Sequence, residues 1–357
     1  MGYPSKAVEN IDAPLPHVIE NEEMLDELLS RPTARVVALM RRLKGDLIIL
    51  GIGGKIGTGL GLTALRATRA AGIQRRVIGV SRFSDPSARS QLEAAGLETI
   101  ACDLLDQDAV SRLPKTDNVL YLVGRKFGTG ENVEMTWATN VLVPANVARH
   151  FSDSRIVAFS TGCVYPLVPP IPGGCTEECE PQPVGEYAQS CLARERIFQY
   201  WSRTFGTRIS LLRLNYAIDL RYGVLYDIGQ KVYHGEPIDL TVSHVNVIWQ
   251  GDVNRQTLLS LEHCASPPTI LNITGPETAS VRYIAETFGR IFGRAVKFRG
   301  VEGEGRMYLS NASKAAALFG YPSVPLLTMI RWQAAWIQQG GRSLAKPTHF
   351  EVTDGKF

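Results

Sequence analysis

The sequence lacks any apolar run approaching the ~20 residues that span a bilayer, and its N-terminus lacks the apolar core of a secretion signal. Met1-Gly2 opens like an acylation signal, but Lys6 stands where that signal needs a hydroxyl. A soluble, cytoplasmic protein without a membrane partner is therefore expected. Charge of one sign is not in excess either. The chain carries 38 basic and 35 acidic residues, interspersed to a net charge of +3, which argues against a nucleic-acid-binding stripe. The six cysteines include no CxxC pair, and Cys175 and Cys179 have no histidine nearby, so no metal site and no disulfide framework are expected. Internal repeats and low-complexity tracts are missing as well.

What is present is ordinary globular material, 45% apolar and 20% charged over 357 residues, long enough for a large α/β unit with a smaller lobe. Residues 1–45 read as a helical extension. Leucines and valines recur at helical spacing from Glu22 to Leu43, and Ser30-Arg31-Pro32 predicts a break into two helices, with the proline in a first turn. The extension is expected to pack on the main fold or serve an oligomer contact. From Asp46 short β-branched runs alternate with helical segments: 46–50, 76–80, 97–101, 118–123, 155–160, 208–214 and 269–274. Near-continuous apolar strands between helices predict a doubly wound parallel sheet covered on both faces. Residues 46–217 with 245–275 are assigned to this domain, 218–244 with 276–345 to a substrate lobe, and 346–357 to a tail.

The segment Gly51-Ile52-Gly53-Gly54-Lys55-Ile56-Gly57 joins the first strand to a helix. Glycines there let the backbone turn tightly, approach a pyrophosphate and present helix N-terminal N–H groups to it. The spacing is G-x-x-G-x-x-G. It resembles the extended short-chain dehydrogenase/reductase superfamily, the NAD-dependent epimerase/dehydratase family, and the likeness runs from about Asp46 to Tyr321. The resemblance implies a Rossmann domain whose dinucleotide is held by Gly51, Gly53, Gly54, Lys55, Ile56 and Gly57. Ser81-Arg82 ends the second strand where NAD users carry an acidic residue, and a guanidinium suits a 2′-phosphate, so NADP is favoured with NAD left open. Asp103 matches a position that contacts the adenine edge, or else caps the next helix. Gly124 stands where the family backbone passes the cofactor, and Asn140 resembles an asparagine that buttresses the site from a long helix.

Ser160-Thr161-Gly162-Cys163-Val164-Tyr165 is similar to the family's S-[ST]-x-x-V-Y segment, which implies Thr161 as the hydroxyl that bonds the reacting oxygen. Gly162 and Cys163 replace the acidic pair of the dehydratases. Tyr187 matches the family's acid/base, but Cys191 stands four residues on where lysine is expected. An unassisted phenol has a pKa of ~10, so roughly one in a thousand is ionised at pH 7, a deficit of about 4 kcal/mol. Lys126 and Arg125, after the fourth strand, are candidate substitutes for the missing cation, or exposed loop charges. Cys191 is expected to pack within its helix.

On the substrate side, Asn215 in Arg213-Leu214-Asn215-Tyr216 resembles a family asparagine that faces substrate. Arg221 and Tyr222 follow in a loop suited to clamping an anion and stacking on a sugar, or to packing between lobes. The tail from Lys346 has no family counterpart and would cover the site or a dimer interface. The resemblance implies an NAD(P)-dependent epimerase or oxidoreductase of a carbohydrate-like small molecule, expected as a homodimer. A catalytically silent NADP(H)-binding sensor or scaffold is the alternative.

Overall fold

Seven strands form one parallel sheet: β1 Leu47–Leu50, β2 Val77–Ser81, β3 Glu98–Ala101, β4 Asn118–Tyr121, β5 Arg155–Thr161, β6 Arg208–Leu214 and β7 Thr269–Ile273. The computed structural model describes residues 13–356 apart from 85, 127, 129–130, 171–172, 304 and 347, so residues 1–12 of the extension lie outside it. Strand order is β7-β6-β5-β4-β1-β2-β3. Ile48 pairs with Ile78 on one side and Val119 on the other, in parallel register. Side chains alternate between two cores, as the two-residue period of a strand requires. Leu47 and Ile49 join one core with Leu120 and Val157, and Ile48 and Leu50 join the other with Tyr121 and Phe198. Both faces are covered, so the strands read as unbroken apolar runs. β3 is one edge of the sheet, and its exposed Glu98 pairs with Arg76 on the rim.

The extension supplies α1, Glu22–Ser30, capped by the Asn21 side chain, and α2, Ala34–Arg42, capped by Thr33. The break falls where the sequence places it, but Pro32 lies in the linker, because Thr33 takes the N-cap and starts the helix after it. α3, Lys55–Ala70, follows the glycine turn, and α4, Gly185–Phe205, carries Tyr187. α5, Val224–His234, α7, Val281–Phe292, and α8, Leu326–Gln338, form the smaller lobe, while α6, Gln250–Leu259, returns to pack on α3. Asp252 in α6 accepts from the N–H groups of Ser323 and Val324 and pairs with Arg255, a structural role.

The two extension helices serve different cores. Leu25, Leu28 and Leu29 of α1 enter the lobe's core with Ile228, Phe288 and Trp332, whereas Val36 and Leu39 of α2 enter the Rossmann core with Leu60. Glu27 of α1 pairs with Arg66 of α3 at 2.8 Å. The extension therefore fastens the lobe to the domain of the parallel sheet.

Candidate active site

The glycine turn has a steric cause at two of its positions. Gly51 has φ +92°, a left-handed conformation that side chains resist. A Cβ on Gly57 would lie 2.5 Å from the Ile52 carbonyl oxygen, so only glycine lets α3 approach the turn this closely. Gly54 caps α3 without a side-chain acceptor, and the helix N-terminus opens on a cavity of about 320 Å³. Gly51, Gly54, Lys55, Ile56 and Gly57 form one wall, and Gly124, Lys126, Thr161, Tyr187, Asn215 and Tyr222 stand among the others. Gly53 lies outside the wall, beneath the Ser81 hydroxyl.

Ser81, Arg82 and Asp103 do not line this cavity; they lie at the carboxyl ends of β2 and β3, with Arg82 and Asp103 exposed. Asp103 does not cap the following helix. Asp106 does, accepting from the N–H groups of Asp108 and Ala109 at 2.9 and 3.0 Å, while Asp103 closes its own turn onto Leu105.

Asn140 lies in a π-helical turn, Ala138–Leu142, inside the helical stretch 133–150. Pro144 has no N–H for the carbonyl of residue 140, which accounts for the widened turn. The Asn140 side chain donates to the Arg125 carbonyl at 3.1 Å and to Ser190 Oγ at 2.9 Å. It accepts from the Arg125 N–H at 2.9 Å and from Arg194 at 2.5 Å. It thereby pins the loop after β4 to α4. Lys126 extends from that loop into the cavity wall and donates to the Thr348 carbonyl at 3.2 Å. Burial pulls its ammonium below the usual lysine range. Arg125 is half-buried beside it, outside the cavity wall.

Tyr187, in the first turn of α4, is hydrogen-bonded to Thr161 and to Cys191. Burial pushes its phenol well above 10; Cys191 and Cys163 push the same way, and Arg194 and the Thr161 bond oppose them. Cys191 packs with Val164, Tyr165 and Cys175, and burial pushes its thiol up to about 11. It is thus a neutral packing group beside the phenol. Arg194, buried and donating to the Phe159 carbonyl at 3.1 Å, is a cation the sequence reading missed. The signal was available: residues seven apart share a helix face, and Arg194 lies seven after Tyr187.

Asn215 lines the cavity and donates to the Tyr308 carbonyl at 3.1 Å. Tyr222 lines it too, with Lys55 Nζ 4.0 Å above its ring. Arg221 turns elsewhere, correcting the expectation of an anion clamp. Its guanidinium is taken by Asp219 and by Asp26 of α1, both at 2.9 Å, and joins the extension to the lobe. The tail folds back over the site. Thr348 enters the cavity wall and its hydroxyl donates to Asp227 at 2.5 Å, Lys231 pairs with Glu351, and Gly355 packs on Gly185. Tyr308 and Ser310, buried near Cys163 and Gly162, have hydroxyls without a partner among the described residues. An isolated bridge from Cys175 to Ser310 places that segment, a pairing no local pattern announces.

Residues 47–218 match the profile of the NAD dependent epimerase/dehydratase family. No curated protein sequence matches the chain significantly. Among solved structures, the chain is similar to a UDP-glucuronic acid 4-epimerase from Bacillus cereus in complex with UDP-glucuronic acid and NAD. That pair has a TM-score of 0.66 and 20% identity over 82% of this chain and 99% of that one. A UDP-glucose 4-epimerase from Thermotoga maritima with UDP-glucose gives 0.64 and 17% identity, over 83% and 99%. An epimerase from Methanothermobacter thermautotrophicus gives 0.68 and 17%, over 86% and 96%. At these identities the likeness shows the shared fold. Among the described residues no helix is long and apolar enough to cross a membrane.

Proposed function

We propose, from the premise that residues 47–218 belong to the NAD dependent epimerase/dehydratase family, that the chain transfers hydride to or from a sugar, sugar acid or nucleotide sugar as an NAD(P)-dependent epimerase or oxidoreductase. One observation carries the reading: the glycine turn and the hydrogen-bonded Thr161–Tyr187 pair face the same cavity. The residues fit a nicotinamide dinucleotide. Gly51 and Gly57 clear backbone where a Cβ would collide, and the uncapped α3 N-terminus suits a pyrophosphate. Ser81, Arg82 and Asp103, at the ends of β2 and β3, would hold the adenosine half, with Arg82 favouring NADP. The dinucleotide, when bound, would supply the acceptor or donor of hydride.

The chain's own groups would handle the proton. Burial keeps the Tyr187 phenol protonated, so it is suited to giving a proton to a sugar oxygen as the attached carbon is reduced, with Thr161 orienting that oxygen. The reverse step needs the phenolate, which a phenol raised above 10 resists by more than the ~4 kcal/mol of an ordinary tyrosine at pH 7. Arg194 and Lys126 are the cations that would lower that cost. Asn215 and Tyr222, which line the cavity, are assigned to the substrate side, and Arg125, outside its wall, is not.

The same phenol favours a second reading. With Cys191 beside it in place of lysine, Tyr187 is poorly activated, as expected of an NADP(H)-binding sensor without turnover. Purified protein separates the two: retained dinucleotide is identified, and reduced-nicotinamide absorbance is followed with UDP-sugars and free sugar acids. Substrate-dependent loss of absorbance supports the enzyme. Tight dinucleotide binding without any turnover supports the sensor.

A further inference from the structure

The glycine turn carries a side chain that its backbone role does not need. Lys55 is the first residue of α3, and its side chain crosses the cavity, where Nζ donates to the Ala217 carbonyl at 3.1 Å and sits 4.0 Å above the Tyr222 ring. No carboxylate lies within ion-pair distance of it among the described residues. Asp219, on the adjoining loop, is its main attractive neighbour, but both Asp219 oxygens are committed to Arg221 at 2.9 and 3.0 Å. Lys126 from the loop after β4 and Arg221 itself repel it; Asp227 of α5 attracts it but is engaged by Thr348. The N-terminal end of the α3 dipole is positive as well. Two cations and two carboxylates thus act on one enclosed amine, with both carboxylates already engaged, and burial pulls that amine down to about 7.

We propose that the Lys55 side chain is the cavity's receptor for a phosphate of the bound nucleotide, and that the protein takes up a proton at Lys55 as that phosphate enters. This rests on the dinucleotide-binding reading above. The enclosed amine faces the same space as the α3 N-terminus, so an anion seated on the turn supplies the negative charge that the surrounding residues withhold. The balance is simple: solvent gives one proton to the neutral amine, and the resulting ammonium pairs with a phosphate oxygen.

The sign follows from linkage. A group whose pKa rises on binding takes up protons between its free and bound values and none well below the free value. Uptake is therefore expected to be small at pH 6 and to approach one proton near pH 8.5. Affinity falls above pH 7.5 by up to about tenfold per unit.

Titration calorimetry of the full chain with NADPH, NADH and UDP-glucuronic acid, in buffers of different ionisation enthalpy, reads this directly. The first two probe the dinucleotide's phosphates, and the third those of a nucleotide sugar. Expected is uptake near one proton at pH 8.5 in the wild type. Lys55→Met should lose the uptake and bind at least tenfold more weakly at pH 7. Lys55→Arg should bind without uptake and with a flattened pH dependence. Wild-type binding without uptake, or uptake that persists in Lys55→Met, overturns the proposal and leaves the dinucleotide reading standing. A wild type that binds none of the three probes overturns both.

Discussion

The two walls of the cavity are built in different ways. One is a single turn, residues 51–57, whose backbone is dictated by glycines and followed at once by a helix. The other gathers Lys126, Thr161, Tyr187, Asn215 and Thr348 from separate segments between β4 and the C-terminal tail. The first is a local rule of chain sterics. The second depends on tertiary packing, and there a side chain can be exchanged while the fold stays. Lysine is missing from α4 after Tyr187, and the cation that acts on the phenol is Arg194 on the same helix, while Lys126 lines the same cavity. The glycine turn thus keeps the form that the resemblance implies, while the wall around Tyr187 departs from it.

The contrast can be broken most severely at the scaffold of the second wall. Glu195 and Arg213 form a buried ion pair at 2.7 Å, and Glu195 also accepts from Ser160, next to Thr161. Glu195→Leu strands a buried guanidinium, and a loss of about 3–5 kcal/mol is expected in chemical denaturation. The first wall should break by sterics alone. Gly57→Val is expected to lose about 1–3 kcal/mol of stability and its reduced-nicotinamide fluorescence on dinucleotide addition, because the obstacle is Ile52 backbone rather than a flexible side chain. Equal dinucleotide affinity in Gly57→Val and wild type would show that the turn is not the cofactor wall.

A finer test asks which cation serves the second wall. Lys126→Met is expected to slow turnover by about tenfold, roughly 1.4 kcal/mol, with dinucleotide affinity nearly unchanged. An unaltered rate would assign the role to Arg194 alone. The smallest effect belongs to the exposed adenosine end. Arg82→Ala should lower the NADP/NAD affinity ratio several-fold, consistent with loss of about 1 kcal/mol from an exposed charge contact. An unchanged ratio would remove the reason for preferring NADP.

Legibility in the sequence followed the same division. The seven strands could be read within two residues because strands buried on both faces are continuous apolar runs, and the turn could be read because its glycines answer to backbone sterics. Thr161, Tyr187, Asn215 and Lys126 were identifiable from motif and loop position, and all line the cavity. What escaped was decided by distant partners. Arg221 looks like an anion clamp until Asp26, on a helix nearly two hundred residues earlier, is seen to hold it at 2.9 Å. The tail's place over Lys126 and the buried hydroxyls of Tyr308 and Ser310 depend on isolated contacts with no periodicity. Lys55 was legible as part of a turn, but its side chain's reach to Ala217 was not, because that contact joins residues 162 positions apart.

Tyr187 is proposed to give and take the proton beside a bound nicotinamide, and Tyr187→Phe removes the phenol hydroxyl alone. Substrate-dependent oxidation of NAD(P)H is measured in wild type and variant at matched dinucleotide saturation. A fall of at least about a hundredfold with unchanged dinucleotide affinity is predicted, the usual scale of a lost general acid. Equal rates in the two proteins would contradict it.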